Sequence, residues 1–293
     1  MIFKSVTLKP TLPKVRLDLV KNQVALLMPI GDVHYGTKGF PVERFVEHLQ
    51  WGMDRGAWFI GMGEYLDFTS ASQRQLLAPL RDSTKLDLDD MVKTQIDEFA
   101  ELIGFTQGRW IGIIEGDHRY DFATGTSGDQ YLASKLDADF GGTSMLIRLC
   151  PGKGYEAYPE ADTIVYVHHG VGSSRMQGGQ LHRVEDLLKW VNADIYLMGH
   201  THAKIEAAID QQCISVDGVH YHRTKAIART GGWFRAYLSS EPLANDSPVL
   251  LSRGSYVEQK ALTPSSLGGL CIGIGVEQVE GSSSYRPAIH VSI

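Results

Sequence analysis

The chain has 293 residues, 43% of them hydrophobic and 21% charged, with a formal net charge of −6. That is enough apolar content for one large core, and the acidic balance excludes a broad cationic face of the kind that grips nucleic-acid backbones, leaving room for a local basic patch only. Its three cysteines, Cys150, Cys213 and Cys271, are odd in number, far apart and in no CxxC arrangement, which argues against a disulfide framework or a cysteine zinc site and fits a reducing compartment.

In chain order, residues 23–31 (QVALLMPIG) read as a first buried strand, an apolar run ending on Gly31-Asp32-Val33-His34. Val42, Phe45, Val46 and Leu49 stand at helical spacing and predict an amphipathic helix over 41–55. A second strand at 57–63 runs into Gly63-Glu64-Tyr65-Leu66-Asp67, and residues 68–86 read as a rim loop carrying Arg74 and Arg81. Leu88, Met91, Val92, Ile96, Phe99, Leu102 and Ile103 predict a helix over 86–107, after which a strand at 109–116 ends on Gly116-Asp117-His118. A helix over 127–138 precedes a strand at 163–168 that ends on His168-His169-Gly170. The small, polar residues 172–179 suit a loop over a site, with Arg175 as a candidate phosphate contact; a helix over 178–192 and a strand at 194–199 then lead to Gly199-His200-Thr201-His202.

From residue 203 the texture becomes alternating, with a hairpin expected around Asp217-Gly218 and loops at 240–247 and 263–269. No repeat, low-complexity tract or strong linker divides the chain. We therefore expect a single domain over 1–293, with a motif-bearing part at 23–202 and a β-rich part at 203–293. Strand-helix alternation in the first part argues for an α/β sandwich with helices outside the sheets. Trp233 and Phe234 read as core, His220 and His222 as surface residues of a hairpin strand, and His48 and His182 as helix residues outside any site.

Five strand ends carrying Asp, Glu and His in this order point to metal, because strand ends are where α/β sheets place chemistry. Asp32 and His34, two apart, would share one face of an extended chain and hold one cation. Glu64 offers two oxygens that can bridge a pair of ions, Asp117, His169 and His200 suit the second ion, and His202 returns to the first. This mixed nitrogen and oxygen ligation suits manganese first, then iron, zinc, nickel or cobalt, and carries too much imidazole for calcium or magnesium. Two such ions about 3.5–4 Å apart would clamp a phosphoryl oxygen and hold a bridging hydroxide as nucleophile.

The ordered motifs over residues 31–202 resemble the calcineurin-like metallophosphoesterase family, whose pattern runs D-x-H, G-D-x-x-D, G-N-H-D/E, H and G-H-x-H. The resemblance implies a four-layer α/β/β/α sandwich with a dinuclear site at the strand ends. It assigns Asp32, His34 and His202 to one metal, Glu64 as bridge, and Asp117, His169 and His200 to the other. It further implies that His118 binds the phosphate or protonates the leaving oxygen, that Asp67 orients His118, and that His169 rather than His168 is the ligand, since the family's histidine directly precedes the glycine. The chain departs from the pattern at Glu64, where the family has Asp, at Asp117, where Asn is usual, and at Arg119, which replaces an acidic residue and can offer a cation to phosphate.

The function expected on these grounds is a metal-dependent phosphoesterase. Three carboxylates against two divalent ions leave a less positive site than two would, which disfavours a dianionic monoester more than a monoanionic diester. A phosphodiesterase or nuclease acting on a nucleotide or nucleic acid therefore ranks first and a phosphomonoesterase second. A metal-binding interaction module with weak catalysis stands as a third reading. No run approaches the roughly 20 apolar residues that cross a bilayer, and the first residues lack a signal-peptide layout, so a cytoplasmic protein without a membrane partner is expected.

Overall fold

The computed structural model describes residues 14–17, 23–37, 39–66, 80–152, 158–172, 174, 176–234 and 266–292. Among these it has thirteen strands: β1 (Lys14–Leu17), β2 (Val24–Ile30), β3 (Trp58–Gly61), β4 (Trp110–Ile113), β5 (Asp139–Phe140), β6 (Ser144–Pro151), β7 (Thr163–His168), β8 (Ile195–Met198), β9 (Lys204–Ile214), β10 (His220–Gly232), β11 (Gly268–Gly269), β12 (Cys271–Gln278) and β13 (Tyr285–Ser292). Four α-helices accompany them: α1 (Val42–Asp54), α2 (Asp82–Leu102), α3 (Gly128–Lys135) and α4 (Gln177–Glu185). The protein is thus α/β.

The strands form two mixed sheets. One runs β13-β12-β2-β3-β4-β5, with β2, β3, β4 and β5 parallel and the β12–β13 hairpin added antiparallel beside β2. The other runs β1-β6-β7-β8-β10-β11, with β7, β8 and β10 parallel and β9 folded back along β10. The expected hairpin is present and long: its register runs from His220 opposite Ile214 to Thr230 opposite Lys204.

Period-two side-chain alternation, interrupted in β4 by a register shift against Phe59 and Ile60, sorts these strands' residues into separate cores. Met28, Ile30, Phe59, Trp110 and Ile113 pack with Phe45 and Leu49 of α1, Val92, Ile96 and Phe99 of α2 and Leu132 of α3. Their neighbours Leu27, Ile60 and Ile111 join Ile147, Val165, Val167, Ile195, Leu197, Ile272 and Ile274, drawn from both sheets. Tyr196, Met198 and Ile227 form a third cluster with Val184 of α4 and Leu187. Each fully buried aliphatic side chain here contributes about 1.5–3 kcal/mol by leaving water. Central strands buried on both faces explain why they read as unbroken apolar runs.

Several boundaries differ from expectation. Helix α2 begins at Asp82, because residues 82–85 (DSTK) are helical without bearing an apolar periodicity, and ends at Leu102 before a 3-10 turn over Gly104–Thr106. The helix expected over 178–192 is α-helical only to Glu185 and tightens into a 3-10 turn over Asp186–Lys189. Strand β6 has no forerunner in the sequence reading: its apolar run carries the exposed Arg148, and its burial alternates. Helix α3 is capped by Ser127, whose hydroxyl accepts the Gln130 N–H at 3.2 Å. Asp67, Arg74 and Arg175 lie outside the described residues.

Candidate metal centre

Parallel pairing fixes where the motifs end up. The C-terminal ends of β2, β3 and β4 lie side by side in one sheet, those of β7 and β8 in the other, and the loops leaving them carry the expected ligands. The β2 and β3 loops are laced together by backbone bonds: Asp32 N–H donates to Gly63 O at 3.0 Å, and Val33 and His34 N–H both donate to Glu64 O at 2.8 and 3.1 Å. Trp233 N–H donates to Asp32 O at 2.8 Å, so the end of β10 closes the loop from the other sheet.

Two sets of side chains converge here. Ligand atoms of Asp32, His34, Glu64 and His202 all lie within 4.8 Å of one another, and so do those of Glu64, Asp117, His169 and His200. Glu64 belongs to both. Its Oε2 lies 3.0 Å from His34 Nε2, and its Oε1 lies 3.2 Å from His169 Nε2. His34 Nε2 and His202 Nε2 face each other at 3.2 Å, His202 Nε2 is 3.6 Å from Asp32 Oδ1, and His200 Nδ1 is 3.1 Å from Asp117 Oδ2. Imidazole nitrogens turned toward each other and toward carboxylates form a donor set that fits a divalent transition metal.

The backbone carries an independent sign of function. Six described non-glycine residues have positive φ, and five of them are Asp32 (48°), His34 (51°), Glu64 (55°), His200 (72°) and His202 (55°). L-residues adopt this left-handed conformation at a cost of about 1 kcal/mol or more each, and such strain collects at functional sites. The finding also corrects the sequence argument: Asp32 and His34 do not share a face of an extended segment. They converge because both turn left-handed under the bonds from the β3 loop. Close approach sets the neighbouring glycines, since a Cβ on Gly116 would lie 2.4 Å from Glu64 N and 2.5 Å from its Cγ.

Hydrogen bonds orient individual ligands. His169 Nδ1 lies 2.8 Å from Met62 O; a carbonyl only accepts, so that nitrogen carries the proton and Nε2 is left toward Glu64. Asp32, fully buried, accepts the His200 N–H at 2.9 Å on Oδ2. His168 points elsewhere, its Nδ1 accepting the Gly170 N–H at 2.8 Å, and takes no part in either set.

Electrostatics follow from this crowding. Burial acts to raise the Glu64 carboxyl, but hydrogen bonds from His169 and His34 override it and hold it well below the usual range. Burial likewise acts to lower His169, yet Glu64 and Asp32 lift it to about 9. Asp117 is held low by its His200 hydrogen bond against a partial burial cost. Each shift comes from carboxylates packed directly against imidazoles.

Around the ligands, the His118 ring stands 5.9 Å from that of His34, edge to face. Its loop is pinned by buried Asp89 of α2, which accepts the Tyr120 hydroxyl at 2.9 Å and the Ala123 N–H at 3.1 Å. Arg119 reaches Asp121 at 3.3 Å and Glu115 at 3.8 Å. Trp233 is buried as expected, whereas Phe234 packs on His34 and His202 with ring centroids 5.5 and 6.2 Å away.

No protein-family model matches the chain, and no curated protein sequence does. Among solved structures, that of Chaetomium thermophilum Vps29 aligns over 92% of this chain and 95% of its own, at 10% identity and a TM-score of 0.27, a likeness too low to carry any argument.

Proposed function

We propose that the protein is a metal-dependent phosphoesterase of the calcineurin-like type, a single domain over residues 1–293 in a four-layer α/β/β/α arrangement. The three hydrophobic clusters support the layering, each placed between successive sheets or between a sheet and its helices. The observation that carries the function is Glu64, whose two oxygens face two separate ligand sets. A carboxylate so divided is what a pair of cations requires.

In this reading Asp32, His34 and His202 hold one ion, Asp117, His169 and His200 the other, and Glu64 both. Divalent ions held there would supply Lewis acidity at the phosphoryl group and lower the pKa of a bound water. His118, beside His34, holds the proton that the departing oxygen needs, and Arg119 lies on the same loop as a contact for phosphate. Phe234 packs against His34 and His202 and helps fix their rings. The proposal also assigns Asp67 to orienting His118 and Arg175 to contacting substrate.

Diester chemistry on a nucleotide or nucleic acid ranks above monoester chemistry because Asp32, Glu64 and Asp117 place three carboxylates among the ligands, which disfavours a dianion. Manganese ranks first among the metals. The described residues contain no helix long and apolar enough to cross a membrane, and we place the protein in the cytoplasm.

The test is hydrolysis of an aryl phosphodiester and its monoester with Mn²⁺, by wild type and Glu64→Ala. Metal-dependent turnover that Glu64→Ala abolishes, fastest on the diester, is expected. Bound metal with no turnover of either ester would favour the interaction module instead.

A further inference from the structure

A second constellation lies behind the metal-ligand loops. A cavity of about 200 Å³ is lined by Ser174, Gln180, Arg183, Thr201 and Arg229, with Gly172 and Gly179 completing its wall. Thr201 stands between the candidate ligands His200 and His202, so the cavity is lined by a residue of the same loop. Its electrostatics are lopsided. Arg229 is 1% exposed, and its guanidinium binds carbonyls only: Gln180 O at 2.9 Å, Gly199 O at 2.8 Å and Val171 O at 3.4 Å. Those three bonds leave donor capacity, and no carboxylate among the described residues bonds the guanidinium, although Asp32 bears on its charge through space.

Arg183 is exposed and makes no hydrogen bond or ion pair among the described residues. Asp186, the acid whose charge Arg183 influences, is bound to Lys189 at 2.7 Å. Two residues of the wall also hold buried oxygens without partners, Thr201 Oγ1 and Gln180 Oε1. Leaving such atoms unpaired costs about 1–3 kcal/mol each. A ligand that both accepts and donates satisfies them.

We propose that this cavity binds a phosphate of the substrate other than the one cleaved. Two guanidinium groups and a hydroxyl donate to its oxygens, and Gln180 Oε1 accepts from it when it is singly protonated. The proposal rests on the phosphoesterase reading for its link to catalysis, and defines the substrate class as one bearing at least two phosphates, such as an oligonucleotide or a phosphorylated nucleotide.

The binding step needs no metal and is tested without it. Inorganic phosphate titrated calorimetrically into metal-free protein should bind at one site, weaken about tenfold or more in Arg183→Ala, and persist in His34→Ala, which dismantles the ligand cluster. No binding by wild type, or binding lost in His34→Ala and kept in Arg183→Ala, would overturn the cavity as the site. Arg183 is exposed, so its removal leaves the core intact. In the manganese-loaded protein, a nucleoside 3′,5′-bisphosphate should bind tighter than the 5′-monophosphate, and the advantage should vanish in Arg183→Ala. Equal affinity in wild type would overturn the link to substrate. Absence of ester turnover would count against the phosphoesterase reading and leave the metal-free result standing.

Discussion

The two halves of the ligand cluster are built differently. Asp32, His34 and Glu64 are buried beneath the loops of β2 and β3, tied by four backbone bonds and closed by Trp233 and Phe234. On the other side Asp117 is 51% exposed at its side chain, and His200 is 29% exposed. Asp32, His34 and Glu64, with His169 buried beside them, are therefore part of the fold's framework, and Asp117 and His200 open to solvent, where a substrate can arrive. Substitutions at buried Asp32, His34, Glu64 or His169 should cost metal and stability together; those at Asp117 or His200 should change chemistry at little cost in stability.

The largest expected effect comes from the residue common to both halves. Glu64→Ala should lower turnover by on the order of a thousandfold and reduce bound manganese, read by steady-state rates and elemental analysis. Next, His118→Ala should reduce turnover about 10²–10⁴-fold with metal content unchanged, since the part proposed for it is a proton and not a ligand bond. Equal turnover by that variant would remove His118 from the mechanism. The halves separate most clearly in Asp32→Asn against Asp117→Asn. Asp32→Asn should lower the melting temperature as well as metal occupancy, because it perturbs the carboxylate that accepts the His200 N–H. Asp117→Asn should leave melting nearly unchanged and shift the ratio of diester to monoester turnover toward the monoester. An unchanged ratio would defeat the charge argument for diester preference.

The smallest effect concerns the wall behind both halves. Burial lifts the Asp129 carboxyl to about 7, against a 3.3 Å bond from the Gly116 N–H and with Glu115 adding to the rise. A carboxyl raised in the fold contributes stability that is full below its unfolded value near 4 and is lost as pH rises through 7. Asp129→Asn should therefore match wild type at pH 4 and gain on the order of 2–4 kcal/mol on it by pH 8 in urea melts of metal-free protein. A pH-independent difference would contradict the burial argument.

What the sequence reveals divides along similar lines. The central strands and seven ligand candidates were legible because each ligand follows an apolar run, and parallel pairing then brings those run-ends together. The left-handed turns at Asp32, His34, Glu64, His200 and His202 were not, since none is glycine and the strain is imposed by bonds from a neighbouring loop. Phe234 and Arg229 were hidden for another reason: both owe their place to β10, whose long pairing with β9 and β8 carries them to the site from far along the chain. Strand β6 was missed because Arg148 interrupts its apolar run on the solvent side.

The central claim is that one carboxylate, Glu64, is shared by two cations. Electron paramagnetic resonance of the protein titrated with Mn²⁺ tests it directly. Two ions bound per chain with an exchange-coupled spectrum that disappears in Glu64→Ala is the predicted result; a spectrum of isolated ions at every loading, or no tightly held manganese, would contradict it.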